Sequence, residues 1–189
     1  MSRYQVLSFD AVKSLFNGPG MYQLGFSFEY GMTIFHTFIG GIIQFKTLPR
    51  QQFGNLQARI FPVYFGISTS ITAALLASWV FNHPDVVPNF GRPGLADVAQ
   101  AWTLVVVGSM QALNWFYLGP LTTSLMFQRH KLERAEGKSY NDPTASDEMK
   151  AITKKFGALH GVSSLTNLIS VIGMTFHGLW IAKYGTKGY

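Results

Sequence analysis

The sequence predicts an all-α polytopic membrane protein: a bundle of four transmembrane helices preceded by an amphipathic helix lying in the interface. Three observations predict it. Charged residues make up only 13% of the 189, against roughly 25% in ordinary soluble domains. Three stretches carry no Lys, Arg, Asp or Glu at all: Ile60 to Pro84, Val98 to Gln128 and Phe156 to Ala182. A fourth, Tyr30 to Phe45, is shorter and extends N-terminally if Glu29 is accommodated. A bilayer core needs about 20 mainly apolar residues per helical span. Backbone groups in lipid must be bonded within the segment, so spans without a barrel pattern are helices. Four uncharged stretches also leave no polar outer face for a soluble helical domain.

The elements follow in order. Residues 1–20 lack the apolar core and small-residue cleavage site of a signal peptide. Instead Val6, Phe9, Val12 and Phe16 recur at helical spacing, with Arg3, Asp10 and Lys13 on other faces. That pattern predicts an interfacial helix ended by Asn17-Gly18-Pro19-Gly20. A four-helix transmembrane domain then covers 21–189, with spans at about 24–45, 61–81, 99–127 and 156–182. Pro120, late in the third run, is expected to kink the helix or end its membrane part. Leu121 to Lys131 would then continue as helix outside. Asn141-Asp142-Pro143 reads as a turn, and Ser146 before Asp147 and Glu148 as a helix start. With four spans, the connections after the first and third hold ten basic residues, and the other side holds five. The positive-inside rule places both of those connections in the cytosol.

Polar residues inside spans are costly and therefore draw attention. Glu29, Thr33, His36 and Gly40 share one face of the first span by the i, i+4, i+7, i+11 spacing, which should point into the bundle, although Glu29 lies near enough to the start to reach headgroup depth. Gln111 and Asn114 lie on a similar stripe of the third span. Ser164 and Asn167 share a face of the fourth with His160. These groups read as helix-packing contacts. Three imidazoles, His36, His160 and His177, fall in spans and are the candidate ligands for haem or a metal ion. His160 and His177 are separated by about 17 residues, roughly 25 Å along a helix, so they do not share one ion. The absence of Cys removes disulfides, zinc-thiolate sites and thiol nucleophiles. No P-loop, Gly-x-Ser-x-Gly or His-Glu-x-x-His occurs, so no catalytic residue is assigned. Pro49 stops the first span, leaving Arg50 and Arg59 at headgroup level with Phe53 towards lipid.

Three motifs carry a family resemblance. They are Phe45-Lys46-Thr47-Leu48-Pro49-Arg50 with Phe53-Gly54 and Ile60-Phe61-Pro62-Val63-Tyr64-Phe65; Asn114 followed by Gly119-Pro120 and Thr122-Thr123; and Phe156 with His160 through Leu168. Over about Tyr30 to Met174 the chain resembles the transmembrane protein 205 family. Two departures stand out: an acidic residue of the family is replaced by Gly119, and an apolar one by His36. The resemblance implies a four-span membrane protein associated with endomembranes, the cell surface and drug-resistance phenotypes. It also implies a distant likeness in fold to copper-resistance D-type proteins, some of which bind haem.

The expected function is that of a non-enzymatic membrane protein. It would be a small structural or accessory subunit whose partners are membrane lipids and other membrane proteins, in a complex or homo-oligomer. No nucleic-acid partner and no cofactor is expected. A haem- or copper-binding protein using the intramembrane histidines is the alternative, and a carrier of a small amphipathic solute along the polar faces is a third reading. The expected location is an endomembrane, the endoplasmic reticulum first and a mitochondrial membrane second.

Overall fold

A computed structural model describes residues 7–187. Arg3 and Val6 of the expected N-terminal helix lie outside the described residues. The first described element is a short helix α1 (Phe9–Ser14), capped by the Ser8 hydroxyl, which accepts from the Ala11 amide at 3.1 Å. Leu7, Phe9, Leu15 and Phe16 are all exposed around it. The segment ends earlier than its apolar spacing implies. Asn17 is not part of a terminating loop but the cap of the next helix, its Oδ1 accepting from the Gly20 amide at 2.8 Å. Gly18 and Pro19 already belong to the first turn of α2 (Gly18–Ile34). Proline is favourable there because first-turn amides have no helical acceptor in any case.

From α2 the backbone stays right-handed through a π-helical stretch, Phe35–Gly40, into α3 (Gly41–Thr47). Leu48 and Pro49 are extended and reverse the chain, and α4 (Arg50–Asn82) runs back alongside. A 3₁₀ turn at Pro84–Val86 and further turns lead to α5 (Ala96–Leu113). A second π-helical stretch, Asn114–Leu118, connects α5 to α6 (Gly119–Glu136) without a break. Gly137, at φ +65°, ends α6. Ser146 then caps α7 (Asp147–Tyr184), accepting from the Met149 amide at 3.1 Å.

Among the described residues, three helices are long and apolar enough to cross a membrane: Arg50–Asn82, Ala96–Glu136 and Asp147–Tyr184. The interrupted run α2–α3 packs against α4 and α7, and α5 lies between α4 and α7. All four helical runs outreach the uncharged stretches that announced them. The absence of charge marks the part in contact with lipid, whereas a nucleated helix adds a hydrogen bond per residue and continues until a breaker stops it.

The main apolar core joins Tyr22 and Phe26 of α2, Leu75 and Trp79 of α4, Val98, Ala101, Leu104 and Val107 of α5, and Met174 and Ile181 of α7. Phe28, Phe35, Phe38, Ile43, Phe116, Leu165, Ile172 and Leu179 are exposed on the outside. Such an apolar exterior is the surface a bilayer requires.

The two π stretches share a construction. The Gly41 amide bonds to the His36 carbonyl, and the Gly119 amide to the Asn114 carbonyl, each five residues back. Pro120 follows the second. A proline in a regular helix collides with the carbonyl four residues earlier; the wider turn displaces that carbonyl, so the helix runs on through Pro120 to Glu136. The helix expected over Leu121 to Lys131 is thus present as part of α6. A Cβ on Gly119 would stand 2.6 Å from the Asn114 oxygen, a backbone atom that cannot swing away. Gly119→Ala is expected to destabilise by about 2 kcal/mol, while Gly31→Ala, where a Cβ meets nothing within 4 Å, should be neutral. Melting of the two purified variants in detergent checks this; equal melting would mean the π turn is not under that constraint.

Candidate functional site

The candidate site is a column of polar side chains inside the packed helices. At one end, the His177 ring is fully buried among Tyr22, Phe26 and Trp79. Its Nε2 lies 2.6 Å from the Tyr22 hydroxyl and its Nδ1 2.8 Å from Gln100 Oε1. A carbonyl oxygen only accepts, so Nδ1 carries the hydrogen and Nε2 accepts from Tyr22. Both nitrogens of the neutral ring are thereby used. Beside it the Trp79 indole donates to the Asp97 carbonyl at 2.9 Å, and His83 stacks on Trp79 with centroids 4.0 Å apart.

Next along the column, Glu29 is fully buried. Its Oε1 is 2.6 Å from Thr72 Oγ1 and 2.7 Å from Gln111 Nε2. Thr33 is fully buried one turn on. Further along, Asn114 accepts from the Ser163 hydroxyl at 2.6 Å and donates to Thr166 at 2.7 Å. Asn167 accepts from the Tyr64 hydroxyl at 3.1 Å and donates to Thr37 at 2.8 Å. Thus Glu29, Thr33, Gln111, Asn114 and Asn167 occupy the interior that their spacing indicates. Ser164 does not: it is exposed, and its hydroxyl bonds back to the His160 carbonyl at 2.8 Å. Its neighbour Ser163 faces Asn114 instead, while Asn167 from the same expected face does point inward.

The three histidines do not form one site. The contacts Tyr22–His177 and Thr37–Asn167 show α2 and α7 antiparallel. His36 lies 14 residues from Tyr22 along the helical run, roughly 20 Å from the level of His177. His160 is seven residues beyond Asn167, roughly 10 Å past the level of Thr37. It is exposed and stacks on Phe156. His36 packs on Phe61 and Tyr64 in an outer apolar groove of about 360 Å³ that Phe35, Arg59 and Val63 also line. No group of three His, Cys, Asp or Glu with metal-holding geometry occurs among the described residues. His177 has no free lone pair, and the other two are at different depths. The three imidazoles therefore stand at separate places in the fold and do not share one site.

At the far end, beyond the apolar stretches, lies a charged cluster. Arg50 pairs with Glu133, and Glu133 also accepts from the Tyr140 amide at 2.9 Å. Arg50 and Arg129 both stand over the Tyr140 ring, at 4.7 and 4.6 Å, and Arg129 also over Phe156 at 4.3 Å. Arg50 is therefore turned towards Glu133 and Tyr140, whereas Pro49 and Arg59 are exposed. Phe53 is half-buried against Phe45. Burial pushes the Glu133 carboxyl up, but the bonds from Arg50 and the Tyr140 amide outweigh it and hold the group below the usual carboxylate range.

Several of these residues are not singled out by the sequence patterns above. Tyr64, Ser68 and Thr72 form an i, i+4, i+8 stripe on α4, which is the one signal that points to them. Glu133 sits within a basic run and resembles ordinary solvated charge. Tyr22 gives no sign of the histidine it meets, and Gln100, on the polar stripe of the third span with Gln111 and Asn114, shows its face but not that partner.

Membrane-length apolar helices around an interior of mutually bonded polar side chains define a helical integral membrane protein. Residues 24–131 match the family described as a domain of unknown function, DUF4149, and the chain belongs to that family. It is also 27% identical over 175 residues to "Transmembrane protein 205" of Danio rerio, covering 86% of this chain and 90% of that relative, which makes it transmembrane protein 205-like. No solved structure matches the chain.

Proposed function

We propose that this chain is a non-enzymatic, four-span subunit that packs against lipids and other membrane proteins in an endomembrane, with α2–α3 as the first span. The observation that carries the proposal is the bonding of interior polar side chains to one another. Glu29, Gln111, Asn114, Asn167 and His177 are bonded to partners within the chain, and the outer faces are apolar. Contacts with the outside then fall to apolar side chains and to groups at helix ends, which is how a packing subunit meets its neighbours. The groove at His36, apolar with Arg59 in its lining, suits an acyl chain whose phosphate meets the guanidinium.

Two experiments test this. The chain has no cysteine, so single cysteines introduced as Ser8→Cys, Gly91→Cys and Ser139→Cys report topology cleanly. Four spans put positions 8 and 91 on one side and 139 on the other, with 139 reacting with an impermeant maleimide only after the cytosolic face is opened. Position 8 on the side of 139 would mean three spans. For the subunit role, native mass spectrometry from mild detergent should find the chain with a second membrane protein or with its own copies. A lone monomer throughout would overturn it.

A further inference from the structure

The ring of contacts around Glu29 is short of one hydrogen. Thr72 Oγ1 lies 2.6 Å from Glu29 Oε1 and 2.8 Å from Gln111 Oε1, and Gln111 Nε2 lies 2.7 Å from the same Glu29 oxygen. Three polar contacts at this range need three hydrogens. The Gln111 amide supplies one and the Thr72 hydroxyl, with a single hydrogen, another. If Glu29 were a carboxylate, the third contact would set two oxygen lone pairs face to face. Turning the amide over moves the gap to a different edge of the triangle without filling it. A hydrogen on Glu29 closes the ring in one sense: Glu29 Oε1–H donates to Thr72, Thr72 to Gln111 Oε1, and Gln111 Nε2 back to Glu29 Oε1.

The surroundings offer no other compensation for a negative charge. Among the described residues the ion pairs are Arg50–Glu133 and His83–Asp97, neither involving Glu29. The titratable side chains around it are Tyr22 from α2 and Tyr64 from α4. The helix α5 presents Gln111; His177 of α7 lies at the level of Tyr22, about two turns away, engaged by Tyr22 and Gln100. An isolated buried carboxylate is among the most costly groups a protein interior can hold. One side of the site also holds polar atoms without a hydrogen-bond partner, next to the Tyr64 hydroxyl. Glu29 Oε2, Thr33 Oγ1 and Ser68 Oγ are all buried without a partner. Thr33 follows Glu29 by one turn and Ser68 precedes Thr72 by one turn, so on antiparallel α2 and α4 they occupy the next level of the same seam.

We propose that Glu29 is an intramembrane proton-binding site, a carboxylic acid donating to Thr72, with Oε2 and the Thr33 and Ser68 hydroxyls forming the face on which the proton exchanges. The assignment does not rest on an accessory role for the chain.

The test uses the full chain in detergent. The infrared spectrum at neutral pH should show the C=O stretch of an un-ionised carboxylic acid, and Glu29→Gln should remove it entirely. Glutamine is a neutral isostere that can complete the same triangle, so this variant should melt like the wild type. Dicyclohexylcarbodiimide, which adds the O–H of an un-ionised acid across its C=N bond, should modify the wild type at Glu29 and do so less as the medium is made alkaline. Peptide mapping locates the adduct without any variant. No carboxylic-acid band and no adduct at Glu29 would overturn the proposal. So would saturable protection of Glu29 by sodium or lithium chloride that choline chloride does not give, since a metal cation would then hold the site.

Discussion

Replacing His177 with alanine is expected to destabilise the protein by about 4 kcal/mol. The ring is fully buried and bridges α2 to α5 through α7, by Tyr22 at 2.6 Å and Gln100 at 2.8 Å. Its loss opens a cavity among Phe26 and Trp79 and strands two polar groups where water does not compete. Large-to-small changes of buried side chains carry both a transfer and a cavity penalty, and each orphaned donor or acceptor adds about 1–3 kcal/mol. His177→Phe keeps most of the volume and removes both bonds, so it should recover about half of the loss. Melting and denaturant titration in detergent separate the two variants. A loss below about 1 kcal/mol for the alanine variant would place the ring in contact with water instead.

Glu133→Ala is expected to cost about 3 kcal/mol. The carboxylate is nearly buried, while Arg50, its partner, is 31% exposed. Removing it takes away the acceptor of the Arg50 guanidinium and of the Tyr140 amide. It also leaves Arg50 and Arg129 as two like charges over one aromatic ring. Breaking a buried pair from one side is severe because the surviving charge is left uncompensated. Arg50→Ala combined with Glu133→Ala should therefore cost less than the sum of the single changes. The same carboxylate sets an acid limit. Its proton affinity is depressed in the fold. The stabilisation it gives is present above the unfolded carboxylate range, near 4.3, and is lost as pH falls through the lower folded value. Melting followed from neutral to acid pH should show this loss in the wild type and not in Glu133→Ala. Parallel acid profiles would dissociate Glu133 from acid sensitivity.

Both effects lie at contacts that no local pattern displays. Arg50 and Glu133 are 83 residues apart, and Tyr22 and His177 are 155 apart. Faces are legible in the chain: the spacing of Glu29 and Thr33, and of Gln111 and Asn114, puts them inside. Partners are not. Thr72, the third member of the Glu29 ring, lies on a polar stripe of α4 whose spacing does not say what it meets. Ser164 is expected inside and found outside because a helical wheel does not resolve which of two adjacent serines points inward. The π turns are invisible for a related reason. Gly40-Gly41 and Gly119-Pro120 permit a wide turn, but only packing selects it over a regular one.

The sequence by itself determined that this is a helical membrane protein, because a run of residues without charge is a property of the chain alone and a bilayer admits little else. It also determined which residue types must be sheltered from lipid. The tertiary structure alone decided how they are sheltered. Helical periodicity fixes the face of a residue, whereas the residue it meets depends on the register and rotation of a second helix. That register joined Glu29 to Thr72 and Gln111, closed both nitrogens of His177, and paired Arg50 with Glu133.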